Sequence, residues 1–367
     1  MENARISGWQ FYVLVLNFII GNAFFLRPTS IVAVAKQDGW IVPLWAGAIG
    51  CGLAWLWLLL AKHHPGLSIV QICIKVAGKP VGGLMALTYI WFFIQIASWV
   101  TRNLGDFMNV ILMPRTPFTV FHIMFLAVVC YASIKGVETI SRVSELLAPI
   151  MVLILLTICA FTFLEWKWER FEPLFQLNVW KTMKETKSII GFPYMEAVLL
   201  MMVVPYVKRK IKTGYFLGIA SATLLLSGVV FVTIGALGVT RATHFTYPLY
   251  IITQELRIAD FIEHVELTIV IIWIVWIFIK LCLAYHCAVT GICQLFQLKD
   301  RTWIALPLIL VVSGFAITFS ENTVEGIEWD KHYGFPYMSV YGIIYPALLL
   351  LLMWIRKAFL SRKGEAS

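Results

Sequence analysis

Lys280 lies some 15 to 17 residues from either end of an apolar run over 264–295, which is about 22 to 25 Å of helix on each side at a rise of 1.5 Å per residue. That is too deep for the side chain to reach an interface. An ammonium at such depth is costly unless paired or hydrated, so an intramembrane lysine marks a functional site by default. Glu196 stands at similar depth, about 12 residues from the basic cluster Lys208-Arg209-Lys210. Two chemistries stay open for the couple. Lys280 and Glu196 can form a structural ion pair, or Lys280 can line a cavity, binding a ligand carboxylate or standing in for a coupling cation.

Glu196 also closes one of two interruptions in apolar helices. The first run, Gln10 to Ala35, contains Gly21-Asn22-Ala23, with Arg27-Pro28 close behind; the second, about Ser188 to Val207, contains Gly191-Phe192-Pro193-Tyr194-Met195-Glu196. Backbone released from helical pairing inside a bilayer must be satisfied by protein, water or a ligand, so interruptions at corresponding places in two halves predict a small-solute site at the midplane. The positive end of the half-helix after Gly21 would favour an anionic group. A close helix crossing at small residues is the alternative for Gly21-Asn22-Ala23. Candidate ligand-facing residues are therefore Gly21, Asn22, Ala23, Phe192, Tyr194, Met195, Glu196 and Lys280, with Phe92 and Ile96 one turn apart on a neighbouring helix. Arg102 and Asp106, four apart on that helix, can pair across a turn. With Arg27 they fall in the outer third of their spans and read as a vestibule or gate, with a purely structural pair as the alternative. Glu145 is expected to meet Arg142 or water at the inner surface, and His286 to be packed.

No other chemistry is legible. No Gly-rich phosphate loop follows a strand, no metal-ligand spacing occurs, and Ser, His and Asp form no recognisable triad context, so neither an enzyme nor a cofactor is expected. Cys51, Cys73, Cys130, Cys159, Cys282, Cys287 and Cys293 read as small packing residues.

The elements that must position these residues are membrane spans. Sixty per cent of the 367 residues are apolar and 13% charged, the balance of a polytopic membrane protein. Apolar runs near 10–35, 40–62, 81–112, 117–134, 143–164, 188–207, 214–239, 264–295, 302–319 and 338–356 predict ten transmembrane helices. The net charge of +9 is explained by its placement: sixteen Lys and Arg fall on the N-terminal side of the membrane and ten opposite, five of those in the loop Glu165 to Lys187 beside several Glu. This is the positive-inside pattern, with both termini cytoplasmic and the first span retained, and nucleic acid is not needed as a partner. Trp9, Trp40, Trp45, Trp166, Trp168, Trp303 and Trp354 are expected in an interfacial belt. The order of elements repeats. Each half opens with a broken helix, has a long third span (81–112 and 264–295), and places a short surface segment before it, Leu67 to Val76 and Pro248 to Arg257. An odd number of spans per half inverts the second, giving an all-α, five-plus-five inverted repeat with discontinuous helices 1 and 6, a single domain over 1–367 with repeats at about 8–165 and 186–358.

Specific stretches carry a resemblance. Ile6-Ser7 and Gln10, Gly21, Pro28, Gln37-Asp38-Gly39-Trp40, Pro114-Arg115-Thr116-Pro117, Gly136-Val137-Glu138 with Ser141-Arg142, Phe192-Pro193 with Glu196, and Trp273 with Lys280 occur in order over nearly the whole chain. They resemble the endospore germination permease family, the B subunits of bacterial nutrient germinant receptors, a branch of the amino acid-polyamine-organocation superfamily. The resemblance implies a subunit of the spore inner membrane that senses a small nutrient germinant (amino acid, sugar or nucleoside) together with a membrane-bound A subunit and a lipoprotein C subunit. A proton-coupled amino acid or amine permease is the alternative.

Overall fold

The protein is described here by a computed structural model covering residues 4–256, 265–319 and 323–364. Arg257, expected at the end of a surface segment, and Ser367 lie outside the described residues. In chain order the helices are α1 (Gly8–Ala35), α2 (Val42–His63), α3 (Ile69–Ala77), α4 (Lys79–Phe107), α5 (Phe118–Lys135), α6 (Val137–Phe161) and α7 (Val179–Glu185). A broken segment, Ile190–Met202, follows. Then come α8 (Ile211–His244), α9 (Pro248–Glu255), α10 (Val265–Phe296), α11 (Thr302–Thr318), α12 (Thr323–Trp329), α13 (Phe335–Ser339) and α14 (Tyr345–Gly364). Among the described residues seven stretches are long and apolar enough to cross a membrane, the first of which, Gly8–His63, takes in both α1 and α2; Ile190–Met202 and Thr302–Thr318 are shorter apolar helices. The surface helices α3 and α9 occupy the places read for Leu67 to Val76 and the start of Pro248 to Arg257.

α1 is fixed at its start by a reciprocal cap, in which the Ser7 hydroxyl accepts the Gln10 backbone N–H at 3.0 Å and the Gln10 side-chain Oε1 accepts the Ser7 N–H at 2.9 Å. It is apolar on nearly every face, which suits a central position, and it packs against α8, α10 and α6. α10 is equally central, buried from Ile269 to Gly291 on most faces and packed against α4, α1, α5 and α6. The peripheral helices do the opposite. Leu146 on α6 and Leu310 on α11 are 69% and 72% exposed, an apolar exterior that only lipid or another apolar surface would cover.

One expectation fails here: helix 1 is not broken. Gly21, Asn22 and Ala23 are helical within an uninterrupted α1. A glycine costs a helix only about 1 kcal/mol relative to alanine, which tertiary packing readily outweighs. A Cβ at Gly21 would sit 3.1 Å from the Trp276 carbonyl oxygen and 3.3 Å from the Lys280 Cβ, so Gly21 lets α10 approach. Asn22 is held beside it, its Oδ1 accepting the Trp273 indole N–H at 3.1 Å. The other break is real. Phe192 leaves helical geometry at φ −109° and ψ 118°, next to Pro193, which has no N–H to donate.

The loop between α6 and α7, expected on the outer side, is docked rather than free. The buried Asp38 carboxylate accepts the N–H groups of Phe175 and Gln176, each at 2.9 Å, and the Gln37 amide donates to the Pro173 carbonyl. Trp166 stacks on Phe171 and Phe163, and Trp40 meets Phe231 edge to face, so these two indoles with half-buried Trp45 are packing residues. Trp9, Trp168, Trp303 and Trp354 are the exposed members of the expected belt.

Candidate functional site: a buried ion pair at the floor of a cavity

Lys280 and Glu196 form a direct ion pair, Nζ to Oε2 at 2.6 Å, with both side chains buried. Their helices explain the meeting. Lys280 projects from α10 where Gly21 lets α1 come close, and Glu196 sits on the turn that restarts after the Phe192 break. Two rings complete the ammonium's surroundings, Phe192 at 4.4 Å and Phe18 at 4.9 Å from Nζ to centroid. A carboxylate and two aromatic faces replace the water that a lysine at this depth would lack.

Arg27 satisfies the backbone at the break. Its Nε donates to the Phe192 carbonyl at 3.0 Å and its Nη2 to the Ser188 carbonyl at 3.2 Å, while its guanidinium carbon lies 4.5 Å from the Phe192 ring centroid. It also makes a two-pronged ion pair with Asp330, at 2.6 and 3.3 Å. Asp330, in the wide turn after α12, was not singled out from the sequence. The available signal was an acid at the outer end of the last apolar run, opposite an unpaired Arg27. Phe18, one turn before Gly21, was likewise missed, because an aromatic in an apolar run is usually packing.

A second charged couple stands on α4. Arg102 Nε pairs with Asp106 at 2.7 Å, and Arg102 Nη1 donates to the Ala316 and Ile317 carbonyls at the end of α11, both at 3.3 Å. The guanidinium also lies 5.5 Å from the Phe118 ring. This ties α4 to α11 and α5.

A cavity of about 470 Å³ joins these groups. Its wall includes Asn22, Arg27, Arg102, Asp106, Phe192, Glu196, Asp330 and Lys280, and it continues past Glu185, His244 and Lys331 toward the face that carries the outer loop. Other candidates lie outside that wall. Gly21 and Ala23 are in the α1–α10 contact; Ile96 is buried; Phe92 stacks on Tyr341 at 4.2 Å. The Tyr194 hydroxyl lies 2.8 Å from Thr223 Oγ1 with its ring against Gly50, facing α2 and α8, and Met195 packs on Gly342 and Ser339. At the other membrane face, Glu145 accepts from the Gln10 amide at 2.8 Å, while Arg142 pairs with Glu138 at 2.6 Å, so the expected Arg142–Glu145 contact is replaced by two others. His286 is packed between Ser133 and Thr290.

The spore permease family profile, described as spore germination protein, matches residues 5–324. The chain belongs to this family. It is similar to spore germination protein KB of Bacillus subtilis (strain 168), 26% identical over 378 residues that take in 100% of this chain and 99% of that protein. Spore germination protein B2 of the same organism is 25% identical over 359 residues, 96% of each. Members are germination proteins of receptor and permease type rather than enzymes. Among solved structures, MhsT in complex with L-phenylalanine superposes with a TM-score of 0.68 at 14% identity, covering 96% of this chain and 99% of MhsT. Mhp1, a nucleobase-cation-symport-1 family transporter in a closed conformation with bromovinylhydantoin bound, gives 0.57 at 14% identity over 86% and 75%. At these identities the likeness shows the fold alone: this spore germination permease is a multi-pass helical membrane protein built as those transporters are.

Proposed function

We propose that this germination permease is the B subunit of a nutrient germinant receptor in the spore inner membrane. It binds a small nutrient (amino acid, sugar or nucleoside) in the cavity above Lys280 and Glu196 and acts with A and C subunits. The observation that carries the reading is the Phe192 break, whose ring and carbonyl are engaged by Arg27 at the outer side and whose ring covers Lys280 at the floor. A solute entering between them binds one arrangement of this network better than another, and only such a difference in affinity can move a conformational equilibrium. A coupling of about 1 to 3 kcal/mol is typical between sites and suffices to signal a partner. Gly21, Ala23, Phe92, Ile96, Tyr194 and Met195 then form the packed shell behind the wall. Arg27 with Asp330, and Arg102 with Asp106, serve as the outer gate. In this reading the chain makes ten crossings in two inverted halves, with both termini on the cytoplasmic side.

A second reading, a self-sufficient proton-coupled permease for amino acids or amines, is favoured by the fold shared with MhsT and Mhp1. Purified protein in sealed vesicles separates the two when ligand binding and uptake are measured in parallel. Saturable binding without accumulation is expected. Sustained concentrative uptake by the isolated chain establishes the permease and removes the receptor reading.

A further inference from the structure

At the end of the bundle opposite the cavity mouth, the sequence Lys208-Arg209-Lys210-Ile211-Lys212 places four cations in five positions. All four are exposed. Glu138 is near enough to act on Lys208 electrostatically, but its carboxylate is engaged by the Arg142 side chain and the Arg5 N–H. The charges are presented on an ordered backbone. The Ile6 N–H donates to the Tyr206 carbonyl at 2.9 Å and the Lys208 N–H to the Ile6 carbonyl at 3.1 Å, a short parallel bridge that latches the start of α1 to the chain leaving the broken segment. Lys210 holds a left-handed conformation, φ 61° and ψ 32°, which a residue with a Cβ keeps only when its surroundings impose it.

The neighbourhood of this run is apolar. Trp9, three residues beyond the latch, is 55% exposed, and Leu217, within the second turn of α8, is 54% exposed. Cations at one level, an indole beside them and an aliphatic side chain further along the helix match a headgroup, an interface and an acyl layer in that order. A soluble polyanion would have no use for the last two. We propose that the Lys208–Lys212 run binds the phosphate headgroup of an anionic phospholipid, and that its occupancy holds the Ile6–Val207 latch closed. α8 rises from this loop to a kink at Gly238 (φ 74°, ψ 168°), and the short stretch beyond it carries Thr243 and His244 in the cavity wall, so the membrane's lipid composition would bias, across that kink, the arrangement that the ligand meets at the other end.

The positive-inside bias alone would also leave lysines on this face, and the test is built to separate the two. The full-length chain is purified and placed in phosphatidylcholine nanodiscs with or without phosphatidylglycerol. Retained phosphatidylglycerol is measured by native mass spectrometry. Ile6 is fully buried, so maleimide labelling of Ile6→Cys reports opening of the latch. Phosphatidylglycerol should slow that labelling severalfold. The Lys208→Gln/Arg209→Gln/Lys212→Gln variant should bind the lipid about tenfold or more weakly and label at the phosphatidylcholine rate. The milder Lys212→Gln, in the first turn of α8, should shift both readouts the same way and guards against misfolding of the triple variant. A control triple, Lys62→Gln/Lys75→Gln/Lys79→Gln, should change neither. Equal lipid loss in the control, native retention in the Lys208 triple, displacement of the lipid by millimolar inorganic phosphate, or labelling indifferent to phosphatidylglycerol each overturns the proposal.

Discussion

The Phe192 ring lies 4.4 Å from the Lys280 ammonium, and the Arg27 guanidinium takes up the same ring at 4.5 Å. One aromatic side chain, at the residue where the helix breaks, therefore contacts both the Lys280 and the Arg27 cations. Arg27 holds Asp330 and Lys280 holds Glu196, so displacement of this ring would disturb both ion pairs at once. In the proposed function this is how the cavity would register a bound solute.

Replacing Phe192 with Leu keeps apolar volume and removes both cation–ring contacts. Each such contact is worth about 0.5 to 2 kcal/mol depending on desolvation. Ligand affinity in the purified chain should fall by about fivefold or more, with amounts of protein in the membrane unchanged. Wild-type affinity in Phe192→Leu, measured by equilibrium binding, would remove the ring from the mechanism.

The Lys280–Glu196 pair makes a sharper test because structure and function separate. Lys280→Met leaves the Glu196 carboxylate buried without its partner, at a cost of about 3 to 5 kcal/mol. Thermal unfolding in detergent should register that loss. The double variant Lys280→Met/Glu196→Gln removes both charges and should regain most of the stability while still responding poorly to germinant. Because a fixed ammonium occupies the site, the response of the native protein should not depend on sodium. Full germinant sensitivity in the double variant, or strict sodium dependence in the native chain, sinks the assignment.

Orientation follows from the cation distribution and is checked without reference to ligand. The seven native cysteines are buried or partly buried. A cysteine at exposed Lys181 on α7 should react with a membrane-impermeant thiol reagent in intact cells, and one at Ser367 should react only after permeabilisation. The reverse pattern would invert the topology.

The multi-pass helical character was legible because length and hydropathy are set by bilayer thickness, and Arg102–Asp106 because i,i+4 spacing fixes geometry within one helix. Helix 1 was misread for a definite reason. A glycine pattern signals either a break or a close crossing, and the choice depends on whether another backbone lies opposite, which here is the Trp276 carbonyl of α10. A proline did not decide it either: Pro28 sits inside unbroken α1, whereas before Pro193 the chain leaves helical geometry at Phe192. The Arg27–Asp330 pair joins residues 303 positions apart, and local spacing holds no record of such a contact.

Asn22 and Tyr194 border the two places where the sequence suggested breaks, yet the fold gives them opposite surroundings, and that sets the last prediction. Asn22 lies in the cavity wall with its Oδ1 anchored by the Trp273 indole, which puts the residue within the lining that a solute resting above Lys280 would meet. Tyr194 is buried with its hydroxyl on Thr223. Asn22→Ser shortens the polar group without leaving an apolar surface, and should change which nutrient triggers germination, or shift the concentration needed by about tenfold, the effect of one hydrogen bond of roughly 1 to 1.5 kcal/mol. Tyr194→Phe should leave nutrient preference untouched and lower stability by about 1 kcal/mol through the lost Thr223 contact. Dose–response curves across a panel of amino acids, sugars and nucleosides, read beside thermal unfolding, distinguish the two. A changed preference in Tyr194→Phe with none in Asn22→Ser would place the ligand on the α2–α8 side of the broken segment and overturn the cavity as the binding site.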